Sequence, residues 1–160
     1  MTDTQLKLPP VVKSIVVARS AVDAFDLYTR DIGKWWPTDT HSLGHAEVAT
    51  VMMEPRTGGR IFERWKDGTE KLWGTVSVWD KGQCLVHSWH VSTDPDHASE
   101  VEVRFAALGP NRTRVTLEHR NWERMVGVQL AQTMRDGYDT GWNGVFVERF
   151  GDFAGKVGDP

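Results

Sequence analysis

The sequence holds one cysteine, Cys84, in 160 residues, so it can form neither an internal disulfide nor a thiolate metal cluster. That scarcity suits a reducing compartment, and a cytoplasmic location is expected. No sign of charge dominates: 19 Lys and Arg face 22 Asp and Glu, a formal charge of -3. Without a basic excess there is no field to gather phosphate backbones, and nucleic acid is not expected as a partner. No apolar run approaches the roughly 20 residues of a membrane-crossing helix, so a membrane is not expected either. The opening MTDTQLKLPP lacks the basic and apolar stretches of a secretory signal. Repeats, low-complexity tracts and linker-like stretches are also missing, so residues 1–160 are expected to form one domain. Nucleophile signatures are scarce as well. There is no G-x-S-x-G elbow, and Cys84 has no base beside it in the sequence. Gly58-Gly59 and Gly82 belong to hairpin turns rather than to a phosphate-cradling loop ahead of a helix.

What is present describes an ordinary globule with an unusual interior. Hydrophobic residues make up 39% and charged residues 26%, and eight of the aromatic side chains are tryptophan. After a polar leader closed by Pro9 and Pro10, the β-branched run Val11 to Ala18 predicts a strand. Ser20-Ala-Val-Asp23 predicts a capped helix that buries Val22 and Phe25 and stops at Gly33. Trp35-Trp36-Pro37 begins an irregular segment. From about residue 47 the period is two. Strands are predicted over 48–54, 60–66, 70–80, 84–91, 100–108 and 113–120, with Asp67-Gly68 a strong hairpin signal. Consecutive strands with short turns predict an antiparallel meander. A long final helix is expected, capped by Thr133 with Asp136 three residues on. Met134, Tyr138, Trp142, Val145, Phe146, Phe150 and Phe153 share one apolar arc of it, into which Arg149 also falls. The fold class is therefore α+β, a curved antiparallel sheet around a long C-terminal helix.

Alternation assigns the strand faces. Leu72, Gly74, Val76 and Val78 are expected to point inward, leaving Trp73 and Trp79 outward, where a second copy of the chain would bury them. Leu85, His87 and Trp89 form one inward face, and Val101, Val103 and Phe105 oppose Val115, Leu117 and His119. Gly137, Gly141 and Gly144 make a stripe beside the helix arc. Each costs about 0.8–1 kcal/mol against Ala, which calls for close backbone approach or space left empty.

The ordered pieces FDLYTRDIGKWWP, EPRTGGRIFERWKDGTEKLWGTVSVWDKGQCLVHSW, TRVTLEHRNW and DTGWNGVFVERF span most of residues 11–155. Together they resemble the activator-of-heat-shock-protein-90-ATPase homologue family, within the START/Bet v 1-like (SRPBCC) superfamily. The resemblance implies a helix-grip fold whose sheet closes on the final helix over a cavity for apolar ligands. A chaperone ATPase enters as a partner only through the family name.

The expected ligand-binding residues are Trp36, Trp65, His87, Trp89, His119, Tyr138 and Trp142, an aromatic lining with few polar groups. A small hydrophobic or amphipathic molecule is the expected partner, with His87, His119 and Tyr138 fixing its orientation. No catalytic residue, metal or cofactor is assigned. The alternatives are a cyclase- or hydrolase-type enzyme with a cavity His as general base, and a protein-interaction module. Glu63 is a candidate to orient a neighbouring His. His41 and His45 have metal-ligand spacing, but the segment between them is loop-like.

Overall fold

A computed structural model describes residues 8–91, 93–125 and 127–158, with backbone alone at Val128. Most of the expected polar leader falls on residues 1–7, outside that set. The β-branched opening run forms β1, Val11–Val17, with Val16 and Val17 fully buried. Ser20 then caps α1, Ala21–Thr29, its Oγ accepting the Asp23 N–H at 3.1 Å. One further turn, α2, spans Ile32–Trp35.

The meander follows as β2 Val48–Met53, β3 Arg60–Trp65, β4 Glu70–Asp80, β5 Cys84–Trp89, β6 Ser99–Gly109 and β7 Arg112–Arg120. Gly68 and Gly82 take φ +90° and +80° at the tight turns, a conformation that glycine adopts without a Cβ penalty. β1 pairs antiparallel with β7, and the short β8, Lys156–Val157, closes on β1. The sheet order is β2-β3-β4-β5-β6-β7-β1-β8.

The final helix starts as α3, Val128–Trp142. It widens into a π-helical stretch over Asn143–Phe150 and ends in α4, Gly151–Ala154, with Gly155 at φ +82°. The expected Thr133 cap is wrong. Thr133 lies inside α3, which starts after Gly127. The apolar arc holds: Trp142, Val145, Phe146 and Phe150 are buried, and Met134, Tyr138 and Phe153 are half-buried against the core. Arg149 leaves that arc because the wider π turn rotates it outward. It is exposed and its Nε donates to the Trp35 carbonyl at 3.3 Å.

The faces of β4 are a correction. Register shifts interrupt its pairing with β3 between Ile61 and Phe62, and with β5 between Val76 and Val78. Each shift moves the following side chains to the other face. Trp73 is therefore fully buried, and Trp79 packs edge-on against Phe25 with ring centroids 5.0 Å apart. Leu72 and Val78 take the outward positions. The case for a second copy burying Trp73 and Trp79 loses its residues. Gly74 is required where β4 is interrupted, since a Cβ there would sit 1.8 Å from the Ser88 carbonyl oxygen.

Candidate functional site

The loop after α2 is held down by one buried carboxylate. Glu63 sits in β3 with no exposed surface, and four N–H groups converge on it. Oε1 accepts from the Leu43 amide at 2.8 Å and the Trp73 indole at 2.7 Å. Oε2 accepts from the Gly44 amide and the Trp65 indole, both at 2.8 Å. Four charge-assisted bonds offset the cost of burying the carboxylate. Glu63 thus orients two indoles and a loop rather than a His. Gly44 is needed for the approach, because a Cβ there would lie 2.5 Å from the Trp65 Nε1.

Between this loop, the end of β5 and the final helix lies a partly open cleft of about 210 Å³. Its walls are Trp36, Thr40, His41, Ser42 and Leu43 from the loop side, Trp89 at the end of β5 with Val91 in the turn after it, and Tyr138, Gly141, Trp142 and Val145 from the helix. Trp36, Trp89 and Trp142 form a triangle with centroid separations of 5.9, 5.8 and 5.7 Å. Each indole N–H is spent inside the protein. Trp36 donates to the His41 carbonyl at 2.7 Å, Trp89 to the Tyr138 hydroxyl at 2.8 Å, and Trp142 to His119 Nδ1 at 3.0 Å. The rings therefore present carbon faces to the cleft.

Few polar groups remain free to meet a guest. The Ser42 hydroxyl donates to the Thr38 carbonyl and accepts the His45 amide at 2.8 Å. Thr40 Oγ1 donates to the Pro37 carbonyl at 3.4 Å and meets His41 Nδ1 at 2.8 Å. That contact engages His41 Nδ1, and which of the two atoms donates follows the imidazole tautomer. His41 Nε2 faces Gly141 across the cleft mouth, 3.8 Å from where a Cβ would stand.

Of the seven residues expected from sequence, the structure brings Trp36, Trp89, Tyr138 and Trp142 together on the cleft wall. Trp65, His87 and His119 are not on it. Trp65 lies behind the loop on Glu63. His119 lies one layer below the cleft, its Nδ1 accepting from Trp142, its Nε2 2.7 Å from Ser99 Oγ, and its ring 4.1 Å from that of Trp122. His87 is buried beside Trp89, with Nδ1 2.9 Å from the Ser88 carbonyl. Burial pushes the His87 imidazole down to about 4 and holds that of His119 well below its ordinary value, so both rings are neutral near pH 7. Of the glycine stripe, Gly141 lies on the wall, while Gly137 and Gly144 would meet nothing within 4 Å, so no strand backbone approaches them. Among the described residues no group of three or more His, Cys, Asp or Glu is placed to hold a metal ion.

Sequence reasoning did not place Thr40, Ser42 and Leu43 on the wall, because that loop has no period to read. The clamp left a trace: Glu63 shares strand parity with Ile61 and Trp65, an acid on an apolar face.

The family model described as activator of Hsp90 ATPase homolog 1-like protein matches residues 20–154. No curated protein matches the chain. Among solved structures, the anthrahydroquino-γ-pyrone synthase Txn09 is 33% identical over 91% of this chain and 97% of its own, with a TM-score of 0.63. CalC, a self-sacrificing resistance protein from Micromonospora echinospora, is 29% identical over 91% of this chain and 94% of its own, with a TM-score of 0.66. An HSP90 activator from Plasmodium falciparum is 16% identical over 94% of this chain and 99% of its own, with a TM-score of 0.63, a likeness of fold.

Proposed function

Because the chain belongs to the activator of Hsp90 ATPase homolog 1-like family, whose model covers residues 20–154, we propose that its function lies in the cleft between sheet and final helix. There it binds a small hydrophobic or amphipathic molecule. The observation that carries this reading is the triangle of Trp36, Trp89 and Trp142 around about 210 Å³ of space, with every indole N–H already bonded inside the protein. Such a wall gains little from water and much from an apolar ring. Burying about 200 Å² of apolar surface contributes on the order of 5 kcal/mol before association costs. The likeness to a synthase named for a fused-ring pyrone, at 33% identity, supports a ring-shaped guest.

Catalysis in the same cleft is a second reading, favoured by His41. It is the histidine on the cleft wall, whereas His87 and His119 are spent elsewhere. A general base in this cleft would be the His41 imidazole.

Native mass spectrometry of protein purified from its own cells tests the binding reading. A small molecule retained by the unaltered chain and lost in Gly141→Leu is expected. A guest retained equally by both would place binding elsewhere and overturn it.

A further inference from the structure

The Tyr138 hydroxyl on the cleft wall lies among aromatic faces, and its hydrogen-bond polarity is fixed by a neighbour. The Trp89 indole is a donor only, and its Nε1 lies 2.8 Å from the Tyr138 oxygen. Tyr138 therefore accepts in that bond, and its own O–H hydrogen must point to another partner. No other hydrogen bond of the Tyr138 hydroxyl occurs among the described residues. The ring sits on the cleft wall, packed 6.1 Å from Trp89 and 4.9 Å from His119, so the hydroxyl is held at one edge of the aromatic triangle. Such an arrangement is pre-organised. The indole bond fixes the phenol oxygen before any guest arrives and leaves its hydrogen available to a guest's acceptor.

Size narrows the class further. The cleft, at about 210 Å³, exceeds the roughly 150 Å³ of an engineered apolar cavity that takes one benzene and falls short of the roughly 300 Å³ at which drug-sized sites begin. One or two fused rings fill it.

We infer that Tyr138 is the specificity-determining residue of this cleft, selecting one- or two-ring guests that carry a bare oxygen acceptor, a ketone or quinone carbonyl, at the ring edge. The inference rests on the binding reading above and adds the guest's polarity to it. A guest presenting only N–H or O–H donors at that edge forfeits the bond unless the phenol turns away from Trp89.

The test uses α-tetralone and tetralin, one bicyclic skeleton with and without a carbonyl, in titration calorimetry against the unaltered protein and Tyr138→Phe. Removing the donor is expected to weaken α-tetralone about tenfold and to change tetralin by less than about twofold. Equal weakening of both, or none of either, overturns the role of Tyr138 while leaving the cleft a binding site. Failure of both probes to bind the unaltered protein overturns the binding reading and the inference with it. The variant also leaves the Trp89 N–H without its acceptor. The infrared carbonyl band of α-tetralone bound to the unaltered protein supplies a readout independent of that loss. A shift to lower wavenumber than in hydrocarbon solvent is expected, and an unshifted band contradicts the bond.

Discussion

The indole N–H of Trp142 donates to His119 Nδ1 at 3.0 Å, and that single bond sets the protonation of the layer beneath the cleft. With Nδ1 accepting, the neutral ring carries its proton on Nε2, 2.7 Å from Ser99 Oγ. Ser99 in turn donates to the Trp89 carbonyl at 3.2 Å. The Trp142 indole on the helix and the Trp89 backbone on the sheet are thus tied through His119 and Ser99.

Breaking that tie should be costly. Trp142→Phe leaves His119 Nδ1 without its donor and opens space in the core. A loss of about 2–4 kcal/mol in urea unfolding is expected. A change below about 0.5 kcal/mol would mean that the network does not hold the helix to the sheet.

The same histidines make stability depend on pH, with a definite sign. Burial lowers His87 to about 4 from an ordinary value near 6.5, and holds His119 well below its ordinary value too. The unfolded chain binds those protons first, so the folded state holds its full advantage above about pH 6.5 and loses it as pH falls. The His87 share is gone by about pH 4. Each such histidine contributes a slope of about 1.4 kcal/mol per pH unit within its window. Carboxylates add little there. Glu54, held at about 2 mainly by its hydrogen bonds from Arg60, loses its advantage only below about pH 4.5. Urea midpoints measured from pH 7 to pH 5 should fall steadily, and less steeply in His87→Gln. A flat profile would contradict neutral burial.

Two glycines should respond in opposite directions. At Gly74 a methyl group collides with the Ser88 carbonyl at 1.8 Å, backbone that cannot yield. Gly74→Ala is expected to destabilise by about 3 kcal/mol or more. At Gly141 the nearest atom to a new Cβ is His41 Nε2 at 3.8 Å, ordinary contact. Gly141→Ala should raise stability by up to about 1 kcal/mol through helix propensity. Thermal unfolding of the two variants side by side decides whether the helix glycine serves space or packing.

Glu63→Gln replaces one acceptor oxygen with an amide that faces an N–H donor. A loss of about 2–3 kcal/mol is expected, with faster hydrogen exchange at the Leu43 and Gly44 amides. Unchanged exchange at those two amides would show that the loop is held by other contacts.

The elements legible in the sequence were those with a period or a turn signal. The β-branched opening strand, the Ser20 cap, the Gly68 and Gly82 turns and the final helix arc all rest on local chemistry, and all are present. What alternation missed was decided between strands. Two register shifts around β4 turned Trp73 and Trp79 inward, and no residue in that strand announces them except Gly74. The cleft was half legible. Aromatic residues on the helix and β5 follow a period and were placed on the wall, while His41 and its loop neighbours are set by the Glu63 clamp, a contact made across about twenty residues of chain. His119 shows the opposite error. Inward parity was read correctly, but two bonds from other elements consume both ring nitrogens.

The most direct test of the account is a titration of the protein, ¹⁵N-labelled at its tryptophans, with naphthalene, followed through the indole N–H signals. The account predicts saturable shifts confined to Trp36, Trp89 and Trp142, absent in Gly141→Leu, while Trp35 and Trp79 stay still. An unresponsive triangle, or movement that begins at Trp65 and Trp79, would contradict a guest between helix and sheet.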